Sequence, residues 1–198
     1  MTTPLTVRVL VDVTNDFVSG PFGSEAARVG IPAMLEFITL PEQVDEMVIV
    51  TWEDHGTIYE ESHENLKFAV PHGVRDSEGA RLYGVIAEYM DQKAVEGDRR
   101  FMAIAKDRFM AYGSDKVIAE AIKNYRPTED HQDGREVTFI LAGLVTNICV
   151  IANAVYLQGA FPWAKIVLDA GACVGVTPEL HKAAMEVMAS MAMTVINS

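Results

Sequence analysis

Val137-Thr-Phe-Ile-Leu141-Ala-Gly143-Leu-Val145-Thr146-Asn-Ile-Cys149-Val-Ile-Ala-Asn-Ala-Val-Tyr-Leu-Gln158 is the stretch whose reading decides the fold. Residues 137–141 are β-formers and largely apolar, as a strand buried on both faces of a parallel sheet must be. A glycine-bearing turn follows, and helical spacing runs from about Thr146 to Gln158. The same alternation extends outward in both directions. Upstream, Val7–Val13 reads as a strand with Asp12, Thr14, Asn15 and Asp16 at its end. Residues 24–39 have helix-like spacing after Ser24, interrupted by Gly30 and Pro32, and Met47–Trp52 is a second strand. Residues 53–75 have no clear period and hold three of the five histidines. A helix is predicted over 78–91, a weak strand over 101–105 and a helix over 114–125. Arg126–Glu136 is a charged connection. Downstream, Lys165–Leu168 is a strand ending at Asp169, residues 178–192 a helix and Thr194–Ile196 a short strand. Alternating strands and helices predict a parallel sheet with helices on both faces. No repeat or linker divides the chain, so one domain over 1–198 is expected.

Composition narrows the function. The 198 residues are 49% apolar and 22% charged, an ordinary globular mix. A chain of this size buries roughly 70% of its unfolded surface. The net charge of −12 argues against nucleic acid or an anionic membrane as the main partner, since both require a basic face. Two cysteines, Cys149 and Cys173, exclude a disulfide scaffold and a cysteine-rich zinc site. No signal-like N-terminus and no run of ~20 apolar residues are present, so a cytoplasmic location is expected.

Ligands of parallel α/β sheets bind beyond the C-terminal strand ends. The residues to inspect are therefore Asp12, Glu53 to His55, Lys106, Thr146 to Cys149, and Asp169. Cys149 lies about three residues into a helix, with Thr146 as its candidate N-cap. A helix N-terminus favours a thiolate, and its N–H groups can hold an oxyanion. The alternative is a buried cysteine acting as a small hydrophobe. Asp12 ends an apolar strand and must be solvated, paired or hydrogen-bonded; it could equally serve the turn with Asn15 and Asp16. Lys106 taken alone reads as a surface lysine. Taken together, an acid, an amine and a thiol at three strand ends form a coherent nucleophilic set. Glu53, His55, His63 and His72 form a second constellation, either a metal site suited to zinc, iron or manganese or a scatter of loop histidines. His131 and His181 read as structural.

The strings then become recognisable. Leu10-Val-Asp12-Val-Thr-Asn-Asp16-Phe17 resembles the opening motif of the isochorismatase-like cysteine hydrolases, and Gly143-Leu-Val-Thr-Asn-Ile-Cys149-Val150 resembles their nucleophile motif. Lys106 stands at the family's place for its lysine, and Leu168-Asp169-Ala170 with His181 resembles the closing segment. The resemblance covers about residues 7–192 and implies a doubly wound, Rossmann-like α/β fold. It also implies an Asp12–Lys106–Cys149 triad, a cis peptide at Leu144–Val145, and an oxyanion hole from the Val145 and Cys149 N–H groups. Homo-oligomers are expected in this family.

Within it, nicotinamidases carry a metal whose pattern falls on Glu53, His55, His63 and His72, with zinc first and iron or manganese as alternatives. Two departures stand out: Glu53 replaces their usual Asp, and Ala69 replaces a ring-stacking Trp. Phe17, Phe68 or Tyr112 would then supply the aromatic face. Thr146-Asn147 replaces the Thr-Asp of many nicotinamidases and occurs in carbamoyl and ureido hydrolases. The resemblance therefore implies a cysteine amidohydrolase acting on a small-molecule amide, with nicotinamide first. A metal-independent carbamoyl or ureido amidase is the alternative, and a catalytically silent binding module a more distant one.

Overall fold

A computed structural model of the chain describes residues 4–39, 46–56, 63–125 and 137–198. The charged segment 126–136, including His131, lies outside the described residues. Six parallel strands form one sheet: β1 (Leu5–Val11), β2 (Glu46–Glu53), β3 (Phe101–Lys106), β4 (Val137–Leu144), β5 (Lys165–Val174) and β6 (Thr194–Ile196). Their spatial order is β3-β2-β1-β4-β5-β6. The strand order reverses between β1 and β4, and a crevice opens at such a reversal beyond the strand ends. The central strands explain why the sheet forms. Val7, Leu10, Val11, Val48, Val50, Phe139 and Leu141 are all essentially inaccessible to solvent. Covering both faces of such strands removes apolar surface from water at about 25 cal/mol per Å².

The helices are α1 (Asn15–Val18), α2 (Glu25–Ile38), α3 (His63–Lys67), α4 (Gly84–Glu96), α5 (Asp115–Tyr125), α6 (Ile151–Ala160) and α7 (Pro178–Ser190). Among the described residues none is long and apolar enough to cross a membrane. Ser24 caps α2 by accepting from Ala27 N, and Thr177 caps α7 by accepting from Leu180 N. Neither Gly30 nor Pro32 breaks α2, which buries Ala27, Ile31, Met34, Phe37 and Ile38. Tertiary burial of this face outweighs the local helix-breaking preference.

Three of the differences from the sequence reading bear on the site. The helix expected over 78–91 begins only at Gly84, because residues 79–83 are held by backbone bonds to α1 and its approach: Asp16 N to Gly79 O, Asn15 N to Arg81 O and Tyr83 N to Val13 O. β5 runs past Asp169 to Val174, so Asp169 lies within a strand, where Asn197 donates to its carboxylate. The segment after β4 is not one helix. A π-helical turn spans Thr146–Val150, and α6 begins at Ile151.

Candidate active site

Asp12, Lys106 and Cys149 meet at the crevice between β1 and β4. Asp12 follows β1 with φ of +52°, a left-handed conformation that Asp tolerates better than most residues. Its backbone N–H donates to Thr51 O at 3.0 Å, and Thr51 Oγ1 donates to Oδ1 at 3.0 Å. Lys106 ends β3 as the register partner of Glu53 on β2. Its ammonium lies 2.7 Å from Asp12 Oδ2 and donates to Glu53 Oε1 and to Arg108 O, both at 3.0 Å. Cys149 Sγ lies 3.8 Å from that ammonium and donates to Glu53 Oε1 at 3.5 Å. All four groups are buried.

Two carboxylates and one ammonium in a dry site decide the resting protonation. Burial pushes Asp12 up to about 6, with the Glu53 charge adding to it and Lys106 opposing it. Burial works in the same sense on Glu53, but the His55 imidazole beside it and the charge and hydrogen bond of Lys106 outweigh it and hold this carboxyl at about 2. Lys106 stays protonated, since the neighbouring negative charges overcome its desolvation. Burial drives the Cys149 thiol well above its ordinary value, with Asp12 and Glu53 adding to the shift against Lys106. This corrects the expectation of a thiolate favoured by a helix end. The resting pair is a neutral thiol beside a carboxyl raised to about 6.

The turn that carries Cys149 is held from several sides. Gly143 has φ of +113°, and a Cβ there would lie 2.7 Å from Val11 N and overlap the Val11 carbonyl, so only glycine lets β4 pass β1 this closely. The Leu144–Val145 peptide is cis. Val145, not Thr146, occupies the cap position of the π turn, because Thr146 Oγ1 is engaged with His181 Nδ1 at 2.9 Å. Asn147 Oδ1 accepts from Val176 N at 3.0 Å. Buried Asn153 donates to Cys149 O at 2.8 Å and to Phe109 O at 3.0 Å, and accepts from Ala111 N at 2.9 Å. It thereby ties the segment after β3 to the turn that carries Cys149. Its signal in the sequence was slight: one polar residue in the apolar run 148–157.

Beside the thiol lies a second cluster. Glu53, His55, Glu64 and His72 each place one ligand-type atom within 4.8 Å of the others. His55 Nε2 is 3.4 Å from Glu53 Oε2 and 3.7 Å from Glu64 Oε1; His72 Nε2 is 3.4 Å from both oxygens. These separations exceed good hydrogen bonds. A tetrahedral set about 2.1 Å from its centre has edges of about 3.4 Å. Glu53 Oε2 and Glu64 Oε1 are also buried acceptors without a hydrogen-bond partner among the described residues. The four side chains therefore fit a divalent cation. Glu64 was missed in the sequence because nothing but its place in the fold separates it from the neighbouring acids Glu60 and Glu61. His63 opens α3, and its side chain lies outside what the structure describes.

A backbone relay positions His72. Gly73 has φ of +56°, and a Cβ there would lie 2.7 Å from Glu53 Cβ. Its N–H donates to Asp16 Oδ2 at 2.9 Å, and its carbonyl accepts from His55 N at 2.6 Å.

A cavity of about 400 Å³ opens over Cys149, Glu53, Glu64 and His72. Phe17 and Phe68 line it as expected, joined by Phe22 and Phe109. Phe22 packs edge-on against Phe68 and His72, with centroids 5.9 and 4.6 Å apart. Tyr112 is not in the lining. It is 71% exposed and lies under the Arg108 guanidinium, because the chain after β3 turns outward at that point. Cys173 is buried on β5 opposite Gly143, and burial pushes its thiol up to about 12, which leaves it inert.

Residues 6–198 match the isochorismatase domain family. No curated protein matches the chain in sequence. Solved structures share the fold. A nicotinamidase/pyrazinamidase from Bacillus subtilis superposes with a TM-score of 0.77 at 22% identity, over 96% of this chain and 98% of that one. The pyrazinamidase of Pyrococcus horikoshii in complex with zinc gives 0.71 at 18% identity, over 98% and 99%. N-carbamoylsarcosine amidase from Thermoplasma acidophilum gives 0.67 at 18%, over 96% and 94%.

Proposed function

The chain belongs to the isochorismatase family of hydrolases, and from that premise we propose that it is a cysteine amidohydrolase that converts a small carboxamide to its acid and ammonia. The observation that carries this reading is the convergence of Asp12, Lys106 and Cys149 from three separate strand ends. Asp12 takes the thiol proton as Sγ attacks the amide carbonyl. The N–H groups of Val145 and Cys149 receive the oxyanion. Lys106 keeps Asp12 ionised and offsets the negative charge that develops on sulfur. Asp12 then returns the proton to the departing nitrogen, ammonia leaves, and a thioester remains. Water enters, Asp12 accepts its proton, and the carboxylic acid departs as Sγ recovers its hydrogen. A catalytically silent module has no physical reason to bury an acid, an amine and a thiol in contact.

Glu53, His55, Glu64 and His72 would hold a divalent ion, with zinc first and iron or manganese as alternatives. When bound, such an ion supplies a Lewis-acid site for a lone pair on the substrate body. Nicotinamide, whose ring nitrogen offers that lone pair, is the first candidate substrate.

Ammonia release from nicotinamide by the purified protein tests the reading, with Cys149→Ala as control. Turnover that falls by at least ~10⁴-fold in the variant is expected for loss of a nucleophile. Undiminished turnover would overturn the mechanism. Activity indifferent to chelation and metal add-back would favour the metal-independent carbamoyl or ureido amidase.

A further inference from the structure

The cavity above Cys149 gathers most of its polar groups in one place. Glu53, Glu64 and His72 cluster beside Cys149, and Ser24 is the other polar side chain of the lining. The walls are apolar, formed chiefly by Phe17, Phe22, Phe68, Phe109, Ile148 and Val176. Among the described residues that line the cavity there is no lysine or arginine.

Three of the cations next to the lining are already engaged; a fourth, Lys67, precedes Phe68 on the solvent-exposed side of α3. Lys106 has its side chain fully buried and its ammonium on Asp12 and Glu53. Arg108 pairs with Asp107 at 2.7 Å and sits over Tyr112, which is outside the cavity. Arg28 pairs with Glu25 at 2.9 Å. The N-terminus of α2 reaches the wall through Ser24 and Ala27, but the Ser24 side chain already accepts from Ala27 N, and Glu25 places a negative charge in the first turn. His72 faces two carboxylate oxygens at 3.4 Å. A divalent ion in the cluster would be balanced by Glu53 and Glu64, leaving no net positive charge for a substrate body. The chain's net charge of −12 adds a long-range field that repels anions.

Size leaves room for a substrate body of more than one ring. The cavity of about 400 Å³ falls within the roughly 300–1,000 Å³ of clefts that take drug-sized ligands. That space faces phenylalanine and aliphatic walls, where added apolar carbons are buried favourably.

We propose that the site selects uncharged carboxamides with an apolar body larger than one ring, and rejects amides whose body carries a carboxylate. This rests on the amidohydrolase reading and narrows it: nicotinamide would be a small member of the class, and larger neutral amides better ones. The carbamoyl amino acids, with their obligatory carboxylate, fall outside the class. A carboxylate against the phenylalanine wall would be desolvated without a partner.

The test compares benzamide, 2-naphthamide, 4-carbamoylbenzoate and N-carbamoylsarcosine. kcat/KM is measured by ammonia release, and binding of the same four compounds to the wild-type protein is measured by calorimetry. Expected are a gain of at least ~10-fold for 2-naphthamide over benzamide, since each fully buried carbon is worth roughly fourfold, and a loss of ~100-fold for 4-carbamoylbenzoate. N-carbamoylsarcosine should not be turned over. A carboxylate compound within tenfold of its neutral counterpart, or 2-naphthamide no better than benzamide, overturns the proposal.

Val176→Arg supplies the missing cation at a position 58% exposed, where the fold tolerates it. It should raise the ratio of 4-carbamoylbenzoate to benzamide turnover by up to ~10-fold; an unchanged ratio counts against the charge argument. If no amide releases ammonia, the amidohydrolase reading fails and the binding order decides selection alone. Neutral compounds binding ahead of anions sustains it; the reverse order, or no binding by any of the four, overturns it.

Discussion

The two halves of the site meet at one side chain and are built in opposite ways. Glu53 Oε1 faces Lys106 and Cys149, and Glu53 Oε2 faces His55 and His72. On the cysteine side, Asp12, Lys106 and the turn after β4 are fixed by the register of four adjacent strands. On the histidine side, Glu64 comes from the five-residue helix α3 and His72 from the irregular stretch after it. That half depends on the Gly73 relay and on packing against Phe17 and Phe22. Bond-breaking chemistry of the kind proposed needs sub-ångström positioning, which a sheet provides, whereas recognition can be placed on a loop. Substitutions should therefore separate the two halves, except at Glu53, where they should not.

After Cys149 itself, the largest effect is expected at Asp12. Asp12→Asn removes the proton acceptor while keeping the shape, and kcat should fall by ~10³-fold, within the range for general acid–base catalysis. Metal content of the purified variant, measured by elemental analysis, should stay at the wild-type level. Loss of metal along with activity would show that the halves are not separable.

Glu64→Gln attacks the other half. It removes one anionic oxygen from the cluster, and metal affinity by competitive chelation should weaken by ~100-fold. The alkylation rate of Cys149, read by mass spectrometry, should not move. Altered alkylation with intact metal binding would assign Glu64 to the thiol instead.

A pH profile sharpens the comparison without any substitution. Burial raises Asp12 above the ordinary aspartate value, to about 6. The carboxylate that accepts the thiol proton is then present above that pH and lost below it. kcat/KM should fall about tenfold per pH unit below the midpoint. A flat profile down to pH 5 would mean that Asp12 is not the acceptor.

The cysteine half was legible in the sequence because strand ends are legible. Asp12, Lys106 and Cys149 each follow a run of strand-forming residues, and the sheet makes such ends neighbours. The histidine half was half-legible. Glu53 and His55 end a strand, and His72 stood out by type, but Glu64 joins them through a short helix whose docking no local pattern encodes. Tyr112 failed as a wall for a related reason: its place depends on how the chain turns after β3, where Arg108 and Tyr156 draw the ring outward. Phe22 and Phe109 were missed because a phenylalanine in a loop looks the same whether it faces a cavity or a core. The π turn was hidden by its ordinary helical spacing, although Gly143 marked the close approach that precedes it.

The smallest effect expected is also the most specific to the loop-built half. Asp16 is buried in α1, and its carboxylate accepts from the Gly73 N–H, one residue beyond His72. Asp16→Ala would leave that N–H without its acceptor and loosen the segment that orients the His72 ring. Supporting groups of this kind change metal affinity by roughly 10- to 100-fold, and the lower end is expected because the Gly73 carbonyl remains tied to His55 N. Asp16→Asn keeps an acceptor oxygen and should restore most of the loss. A purely structural role would lower the melting temperature of both variants without this split in affinity. Cys149 alkylation should be unchanged in both, since Asp12 and Lys106 stand on strand ends that do not depend on the loop. Affinity untouched in Asp16→Ala would mean that Phe17 and Phe22, packed on the His72 ring, and the Val70 carbonyl on its Nδ1 hold it without the Gly73–Asp16 bond.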